Sequence, residues 1–117
     1  MISYVKNNAE LIPEKTGIYE LLVKQTDDKY LRRYIGRVDD SLRQRFTDHL
    51  SDQEKNTCIK EKLQKYMCKF DYALVLLKDD RADAEQALYD KYNKQTTCNK
   101  VRPDGSGRGY DIELIEQ

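Results

Sequence analysis

The fold is decided by residues 17–36, which read GIYELLVKQTDDKYLRRYIG. The beginning of this stretch, GIYELLVK, is rich in β-forming residues, and so is the segment YLRRYIGRV that starts at Tyr30. Between these segments, Thr26-Asp27-Asp28 has the composition of a turn. The stretch therefore predicts a β-hairpin with the tripeptide Gly-Ile-Tyr in one strand and Tyr-Ile-Gly in the next.

Hydrophobic spacing predicts a helix directly after the hairpin. Leu42, Phe46 and Leu50 repeat at intervals of four residues, so one face of this helix is expected in the core. The helix is predicted to run through about Leu50, and residues 39–41, Asp-Asp-Ser, supply its N-cap candidates.

Three further elements are predicted along the chain. A second helix has Ser51 or Asp52 as its expected N-cap. The segment from Phe70 to Leu77 is short, apolar and bounded by charged residues, which predicts a buried strand. A third helix is predicted to begin at Asp79 or Asp80.

The predicted order of these elements is β-β-α-α-β-α. It defines an α+β fold with a small, mainly antiparallel three-stranded sheet flanked by helices. A chain of 117 residues has room for one modest core, so residues 1–117 are expected to form a single domain. The motifs lie between about residues 14 and 100. Residues 101–117 are expected to contain a mobile Gly-Ser-Gly-Arg-Gly loop at 105–109 and a candidate closing strand at 110–115.

Composition limits the class of protein. Charged residues make up 36% of the chain, and no apolar run is long enough to span a membrane. The N-terminus shows no secretory or organellar signal, so a cytoplasmic location is expected. A formal net charge of zero gives no bulk attraction to nucleic acid, but the basic residues are clustered. They gather around the second tripeptide and near the C-terminus: Lys29, Arg32, Arg33, Arg37, Arg43, Arg45, Lys100, Arg102 and Arg108.

The cysteines indicate neither a metal site nor a disulfide framework. Cys58, Cys68 and Cys98 are odd in number and far apart, and the only histidine, His49, lies near none of them in sequence. We therefore predict three reduced cysteines that serve in packing, and no structural zinc.

The tripeptides Gly17-Ile18-Tyr19 and Tyr34-Ile35-Gly36 make the chain resemble the GIY-YIG nuclease family. Members of this family carry an arginine on the helix after the hairpin and a histidine or tyrosine one turn later, and Arg45 and His49 match that pair. Residues four apart share a helix face, so both side chains are expected beside the sheet. The weaker match for the arginine is Arg43.

The resemblance also implies a metal site formed by one carboxylate. The family has a metal-binding glutamate on a later helix and an asparagine in the loop that follows, and Glu85 and Asn99 are the matching residues. Asp83 and Asp90 compete with Glu85 for the metal role. A single carboxylate suits one Mg²⁺ or Mn²⁺ ion, whose remaining ligands are water and substrate phosphate.

The remaining roles follow from the same resemblance. Tyr34 is implied as the general base or as the group that orients the attacking water, and His49 is the alternative base or relay. Arg45 is expected to hold the scissile phosphate, and Arg37 and Arg45 to favour the Tyr34 phenolate. Tyr19, together with Asn99, is expected to position the water, the metal shell or the loop.

The function implied is a divalent-metal-dependent endonuclease that hydrolyses phosphodiester bonds in DNA. Binding is expected to be modest and salt-sensitive, with a partner protein or a homodimer as a source of specificity. Two alternatives stay open. One is a catalytically inactive nucleic-acid-binding or regulatory domain with the same fold. The other is a small α+β protein-interaction module, which the zero net charge favours and which predicts that Arg45 and Glu85 lie far apart.

Overall fold

The hairpin is confirmed in the computed structural model, which describes residues 1–26 and 29–110. Strand β2 (Gly17–Lys24) pairs antiparallel with β3 (Tyr30–Val38). Both strands have the predicted bounds. The turn residues Asp27 and Asp28 lie outside the described residues.

Within the described residues the sheet has four strands, one more than predicted, in the order β1 (Ile2–Ser3), β4 (Cys68–Leu74), β2, β3. Strand β4 lies on the other side of β2, and β1 pairs with β4 at the edge, with all neighbours antiparallel. Two residues are too few to produce a readable alternation, so the sequence did not predict β1. The α+β fold class is otherwise confirmed.

The three predicted helices are present, and the predicted starts of two of them are corrected. Helix α1 (Leu42–Leu50) begins after Ser41, whose side chain accepts a hydrogen bond from the Gln44 N–H. Helix α3 spans Lys78–Tyr92 with Leu77 at its N-cap, so it begins before Asp79 and Asp80. Helix α2 (Thr57–Lys65) begins after Asn56 rather than after Ser51 or Asp52, because the Asn56 side chain accepts from the Ile59 N–H. A short 3₁₀ helix, Lys6–Leu11, precedes β2.

Helices cover both faces of the sheet, which explains why β2 is buried along almost its whole length. One face packs against α1 and α2 through a core that includes Tyr19, Phe46, Ile59 and Phe70. The opposite face packs against α3 through a smaller set, which comprises Ile18, Ile35, Ala73, Val75, Ala84 and Leu88. Successive residues of β2 therefore point to different helices.

The prediction of three reduced cysteines is wrong for two of them. Cys58, in the first turn of α2, forms a disulfide with Cys98, which follows α3, across a sequence separation of 40 residues. Cys68 is a buried free thiol. Spacing along the chain cannot reveal such a pair, because tertiary folding alone brings the start of α2 to the loop after α3.

The C-terminal arm, defined here as residues 102–108, lies against α3. It includes most of the loop at 105–109 that the sequence predicts to be mobile, and the mobility stays a prediction. Asp83 on α3 accepts hydrogen bonds from the Ser106 N–H (2.6 Å) and hydroxyl (2.7 Å) and from the Arg108 Nε (2.7 Å). Gln86 Nε2 donates to the Pro103 and Gly105 carbonyls. Most of the candidate closing strand, residues 111–115, lies outside the described residues.

No helix in the ranges 1–26 and 29–110 is long and apolar enough to cross a membrane.

Candidate active site

The two glycines of the tripeptides are required by close approaches within the sheet. Gly36 lies opposite Tyr19 in the β2–β3 pair, and a Cβ at Gly36 would come within 2.5 Å of the Tyr19 hydroxyl oxygen. A Cβ at Gly17 would lie 2.1 Å from the Ala73 carbonyl oxygen on β4. The glycines therefore leave room for the Tyr19 ring to lie across β3 and for β2 to approach β4.

Tyr19 begins a chain of buried hydrogen bonds. Its hydroxyl lies 2.7 Å from Nε2 of His49, and Nδ1 of His49 lies 2.5 Å from Oε2 of Glu54. Tyr19 is fully buried and the His49 side chain is only 8% exposed. Burial raises the pKa of Tyr19 well above its ordinary value and lowers the pKa of His49, against the opposing charge of Glu54. Both groups are therefore neutral near pH 7.

Tyr34 lies next to these hydrogen-bonded side chains, with its ring centroid 6.0 Å from that of Tyr19 and 5.9 Å from that of His49. Burial raises the pKa of Tyr34, and the negative charge of Glu85 raises it further, whereas Tyr19 and Arg45 act in the opposite direction. The expectation that cations hold Tyr34 as a phenolate is therefore not met in this structure. The desolvation of the phenol outweighs the field of Arg45.

Arg37 pairs with acidic groups. Its Nη1 lies 2.9 Å from Oδ1 of Asp104, in the C-terminal arm, and 3.7 Å from Oε1 of Glu85, on α3. The Glu85 side chain is 13% exposed, and burial raises its pKa to about 7, with Arg37 opposing that shift. The carboxylate of Glu85 is thus largely desolvated, and its ion pair with Arg37 is long.

The two competitors of Glu85 have other partners. Asp83 binds Ser106 and Arg108, which hold its pKa at about 2. Asp90 forms an ion pair with Arg102 at 2.6 Å. Both carboxylates fasten residues of the C-terminal arm to α3, whereas Glu85 faces the cleft.

Asn99 supports the hairpin through its side-chain amide. Its Oδ1 accepts a hydrogen bond from the Ile35 N–H (2.9 Å), and its Nδ2 donates to the Ile35 carbonyl (2.8 Å). The preceding Cys98 N–H donates to the Arg33 carbonyl. The loop is therefore fastened along the edge of β3, and Asn99 lies at the first cleft with its amide held by the backbone of Ile35.

Two adjoining clefts meet at Tyr34. The first, of about 500 Å³, is lined by Tyr34, Arg37, Glu85 and Asn99 and by the segment 100–104. The second, of about 460 Å³, contains Arg45, His49 and Glu54 and shares Tyr34 and Asn56 with the first. Tyr19 is fully buried and lines neither of these two clefts. Arg45 and Glu85 line the two clefts that share Tyr34, contrary to the expectation for an unrelated interaction module that they lie far apart.

Sequence reasoning missed Glu54 and Asp104. Glu54 contacts His49 from the loop between α1 and α2, and Asp104 contacts Arg37 from the C-terminal arm. Neither residue belongs to a periodic pattern or to a tripeptide, so no sequence signal marked them. Arg37 and Asp104 are 67 positions apart in the sequence.

The residues at Glu85 fit a hydrated divalent cation. Across the described ranges, no group of three or more His, Cys, Asp or Glu side chains is arranged to hold a metal ion. Glu85 offers carboxylate oxygens at the wall of the first cleft, with one long contact to the Arg37 guanidinium. Mg²⁺ and Mn²⁺ accept oxygen ligands of this kind, and Mg²⁺ usually retains several waters.

The fold is similar to that of solved GIY-YIG endonuclease domains. Two point mutants of the N-terminal endonuclease domain of UvrC from Thermotoga maritima, bound to the catalytic divalent cation, superpose with TM-scores of 0.59 and 0.60 at 22% and 21% identity. The alignments cover 82% of this chain and 94% of those chains. A magnesium-bound form gives a TM-score of 0.58 at 22% identity, over 80% and 93% of the chains.

This likeness defines the class of fold: the chain has the GIY-YIG endonuclease fold. No match to a protein-family model or to a curated protein was found.

Proposed function

We propose that this protein is a divalent-metal-dependent endonuclease that hydrolyses phosphodiester bonds in DNA. One observation carries the proposal: Tyr34 lies where two clefts meet, with Arg45 and His49 on one side and Arg37 and Glu85 on the other. The shared fold supports it, because the UvrC domains of that fold are endonuclease domains bound to a catalytic divalent cation.

In this proposal Arg45 holds the scissile phosphate. Its side chain is half-buried and lines the cleft beside Tyr34. A guanidinium offers two parallel N–H groups that match two phosphate oxygens, and partial desolvation strengthens that contact. The phosphate would then lie next to the Tyr34 hydroxyl, with Glu85 on its far side.

Glu85 is proposed to hold one Mg²⁺ or Mn²⁺ ion. A metal ion bound there would act as a Lewis acid on the phosphate oxygens and on the departing 3′ oxygen. The largely desolvated carboxylate, with its pKa raised to about 7, gains from a nearby positive charge. Arg37 supplies part of that charge in this structure.

Tyr34 is proposed to orient and deprotonate the attacking water. Because the pKa of Tyr34 is raised, the phenol is neutral at pH 7, and its oxygen can accept a proton only as its own proton leaves. Neutralising the charge of Glu85 removes one of the contributions that raise this pKa, which brings the phenol closer to the range of a general base.

DNA binding is proposed to rest on basic residues at the rims of the two clefts. Lys100 and Arg102 line the first cleft, and Lys55 lines the second. With zero net charge overall, the attraction is local, so binding should weaken steeply with salt and show little sequence preference.

A plasmid-nicking assay tests the proposed function. Supercoiled DNA is incubated with the protein in Mg²⁺, in Mn²⁺ or in a chelator, and we expect nicked product only with metal. Glu85→Gln and Tyr34→Phe should each reduce the rate by about 100-fold or more. Glu61→Gln, an exposed carboxylate on α2, is the matched control and should cleave normally. Cleavage that continues in the chelator, or that neither site variant lowers, would refute the proposal.

A further inference from the structure

Both carboxylate oxygens of Glu54 have defined partners at the candidate active site. Oε2 lies 2.5 Å from Nδ1 of His49, and Oε1 accepts a hydrogen bond from the Asn56 N–H at 2.9 Å. The Glu54 side chain is only 11% exposed. Asn56 caps α2, and its Nδ2 donates to the Cys98 carbonyl, so the backbone that holds Glu54 is itself fixed.

The His49 ring is thereby fixed at both nitrogens. A carboxylate can only accept a hydrogen bond, so the proton of neutral His49 lies on Nδ1 and Nε2 is left as the acceptor for the Tyr19 hydroxyl, 2.7 Å away. The other charged or titratable groups that act on His49 are Arg45 and Asp48 on α1, while the aromatic rings of Tyr19 and Tyr34 face it from the hairpin.

We propose that Glu54 is a positioning residue that orients His49 as the final proton acceptor of a relay through Tyr19 to Tyr34. This inference rests on the proposed function, since it assigns the path of the proton that leaves the attacking water. Glu54 acts through His49 and does not touch the substrate.

The relay moves one proton at each step. The side chains of Tyr34 and Tyr19 share a hydrogen bond, which lowers the pKa of Tyr34 and raises that of Tyr19. As the water oxygen attacks phosphorus, its proton passes to the Tyr34 oxygen, the Tyr34 proton passes to the Tyr19 oxygen, and the Tyr19 proton passes to Nε2 of His49. Both tyrosines end neutral and His49 ends as imidazolium beside the Glu54 carboxylate. The O–P bond forms, the P–O3′ bond breaks with its electron pair on O3′, and reversal of the relay returns a proton to the departing oxygen or to solvent.

This route suits a desolvated site. Tyr19 and Tyr34 both have raised pKa values, so a free phenolate on either is unfavourable. The relay ends instead on a buried ion pair between imidazolium and carboxylate, whose two charges are in hydrogen-bonding contact. In the relay, Tyr34 accepts the proton of the water and His49 accepts the last proton transferred, so both residues take part in general-base catalysis. The sequence had left a choice between them.

Nuclear magnetic resonance of the imidazole nitrogens tests the first part directly. His49 is the only histidine in the chain, so its two ¹⁵N signals need no assignment by mutation. We expect the neutral ring to carry its proton on Nδ1. Glu54→Gln should weaken proton binding by His49 by about tenfold, since a neighbouring carboxylate favours the charged ring, and Glu61→Gln should leave it unchanged.

The pH dependence of nicking tests the second part. In Glu54→Gln the acidic limb of the rate profile should move in the same direction as the His49 titration, and the maximal rate should fall by about 100-fold. Tyr19→Phe breaks the relay but leaves the contact between His49 and Glu54, so it should lower nicking while His49 keeps its Nδ1 proton. Circular dichroism melts establish that each variant is folded.

The outcomes separate this inference from the proposed function. A ring protonated on Nε2, or a His49 titration that Glu54→Gln does not change, overturns the role of Glu54 whatever the nicking assay shows. An altered titration with an unchanged rate profile overturns the relay but leaves the nuclease. A wild-type protein that cuts no DNA overturns both the nuclease and the relay, even where the nitrogen signals show the expected ring.

Discussion

The candidate active site has two sides, which differ in how their polar groups are hydrogen-bonded. The hairpin side comprises Tyr19, His49 and Glu54, and the α3 side comprises Glu85 with its neighbours. On the hairpin side, Tyr19, His49 and Glu54 form a continuous chain of short hydrogen bonds in a nearly water-free setting. On the α3 side, Glu85 shares one guanidinium, that of Arg37, with Asp104, and the pairs are longer or exposed. The hydrogen bonds of the hairpin side therefore fix the orientation of its side chains, whereas the α3 side is a balance of charges that a ligand can shift.

The exposure of the partner groups explains much of this difference, since Glu54 and Glu85 are themselves similarly buried, at 11% and 13% exposed. The hairpin side lies under α1 and α2, where desolvation favours neutral groups and lowers the pKa of His49. The α3 side opens to solvent between the helix and the C-terminal arm, and the Asp104 side chain is 80% exposed. An exposed ion pair exchanges easily with other ions, which is the behaviour that a metal and phosphate site requires.

The largest effect that separates the two sides concerns metal binding. We expect Glu85→Gln to lower the affinity for Mn²⁺ by at least about a hundredfold, because it removes the carboxylate that is proposed to hold the ion. Tyr34→Phe should bind Mn²⁺ like the wild type and yet fail to cleave. Titration of free Mn²⁺ by electron paramagnetic resonance measures the affinity of each variant. An equal loss of Mn²⁺ affinity in both variants would contradict the assignment of metal binding to the α3 side alone.

Loss of the disulfide tests the connection between the sides. The Cys58–Cys98 bond ties α2, which packs near Glu54, to the loop that carries Asn99. Cys58→Ser should lower the free energy of unfolding by about 4 kcal/mol, the loop-entropy value for a separation of 40 residues. Urea melts measure it. A reducing agent should cause a similar loss in the wild type and none in the variant; a further loss in the variant would point to another cause.

A methyl group at Gly36 tests how rigid the hairpin side is. Gly36→Ala places a carbon 2.5 Å from the Tyr19 hydroxyl oxygen, so the ring must move and its bond to His49 must break. We expect a loss of about 2 kcal/mol in the free energy of unfolding, as for an overpacked core. The His49 nitrogen signals should shift as well. An unchanged free energy of unfolding with unchanged His49 nitrogen signals would show that the hairpin side accommodates the methyl group without strain.

The pH dependence of stability should have opposite signs on the two sides. The pKa of Glu85 is raised to about 7, so its contribution to stability is fully present below pH 4.5 and is lost as the pH rises to about 7. The pKa of His49 is lowered, so its contribution is present above pH 6.5 and is lost as the pH falls. Burial also raises the pKa of Glu20 to about 7, so Glu20 contributes a trend of the same sign. Urea melts between pH 4.5 and 8 should show that Glu85→Gln reduces the first trend by on the order of 2 kcal/mol and leaves the part due to Glu20. A trend that Glu85→Gln does not reduce would contradict the contribution of Glu85.

The smallest effect is expected at Asp104. Asp104→Asn should leave the free energy of unfolding within about 0.5 kcal/mol of the wild type, because the ion pair with Arg37 is exposed. It should weaken Mn²⁺ binding a few-fold, since Arg37 and Glu85 together then carry no net negative charge. Tighter Mn²⁺ binding in this variant would show instead that the arm holds Arg37 in a favourable position.

The sequence was most informative where local pattern sets the structure. Both hairpin strands and α1 follow from composition and spacing, and they place Tyr19, Tyr34, Arg45 and His49 near one another. The N-cap of α2 was misplaced because several polar residues in the preceding loop could serve equally well. The catalytic roles of the site residues stay predictions that the experiments above address.

By itself, the sequence determined the hairpin, the order of the helices and the residues of the two tripeptides, because these depend on spacings of a few residues. Only the tertiary structure decided that Glu54 meets His49, that Cys58 bonds Cys98 and that Asp104 reaches Arg37. These contacts lie in loops or join distant segments, and no periodicity encodes them. They form because the sheet and its covering helices bring separate segments to one cleft, where desolvation makes polar groups select particular partners.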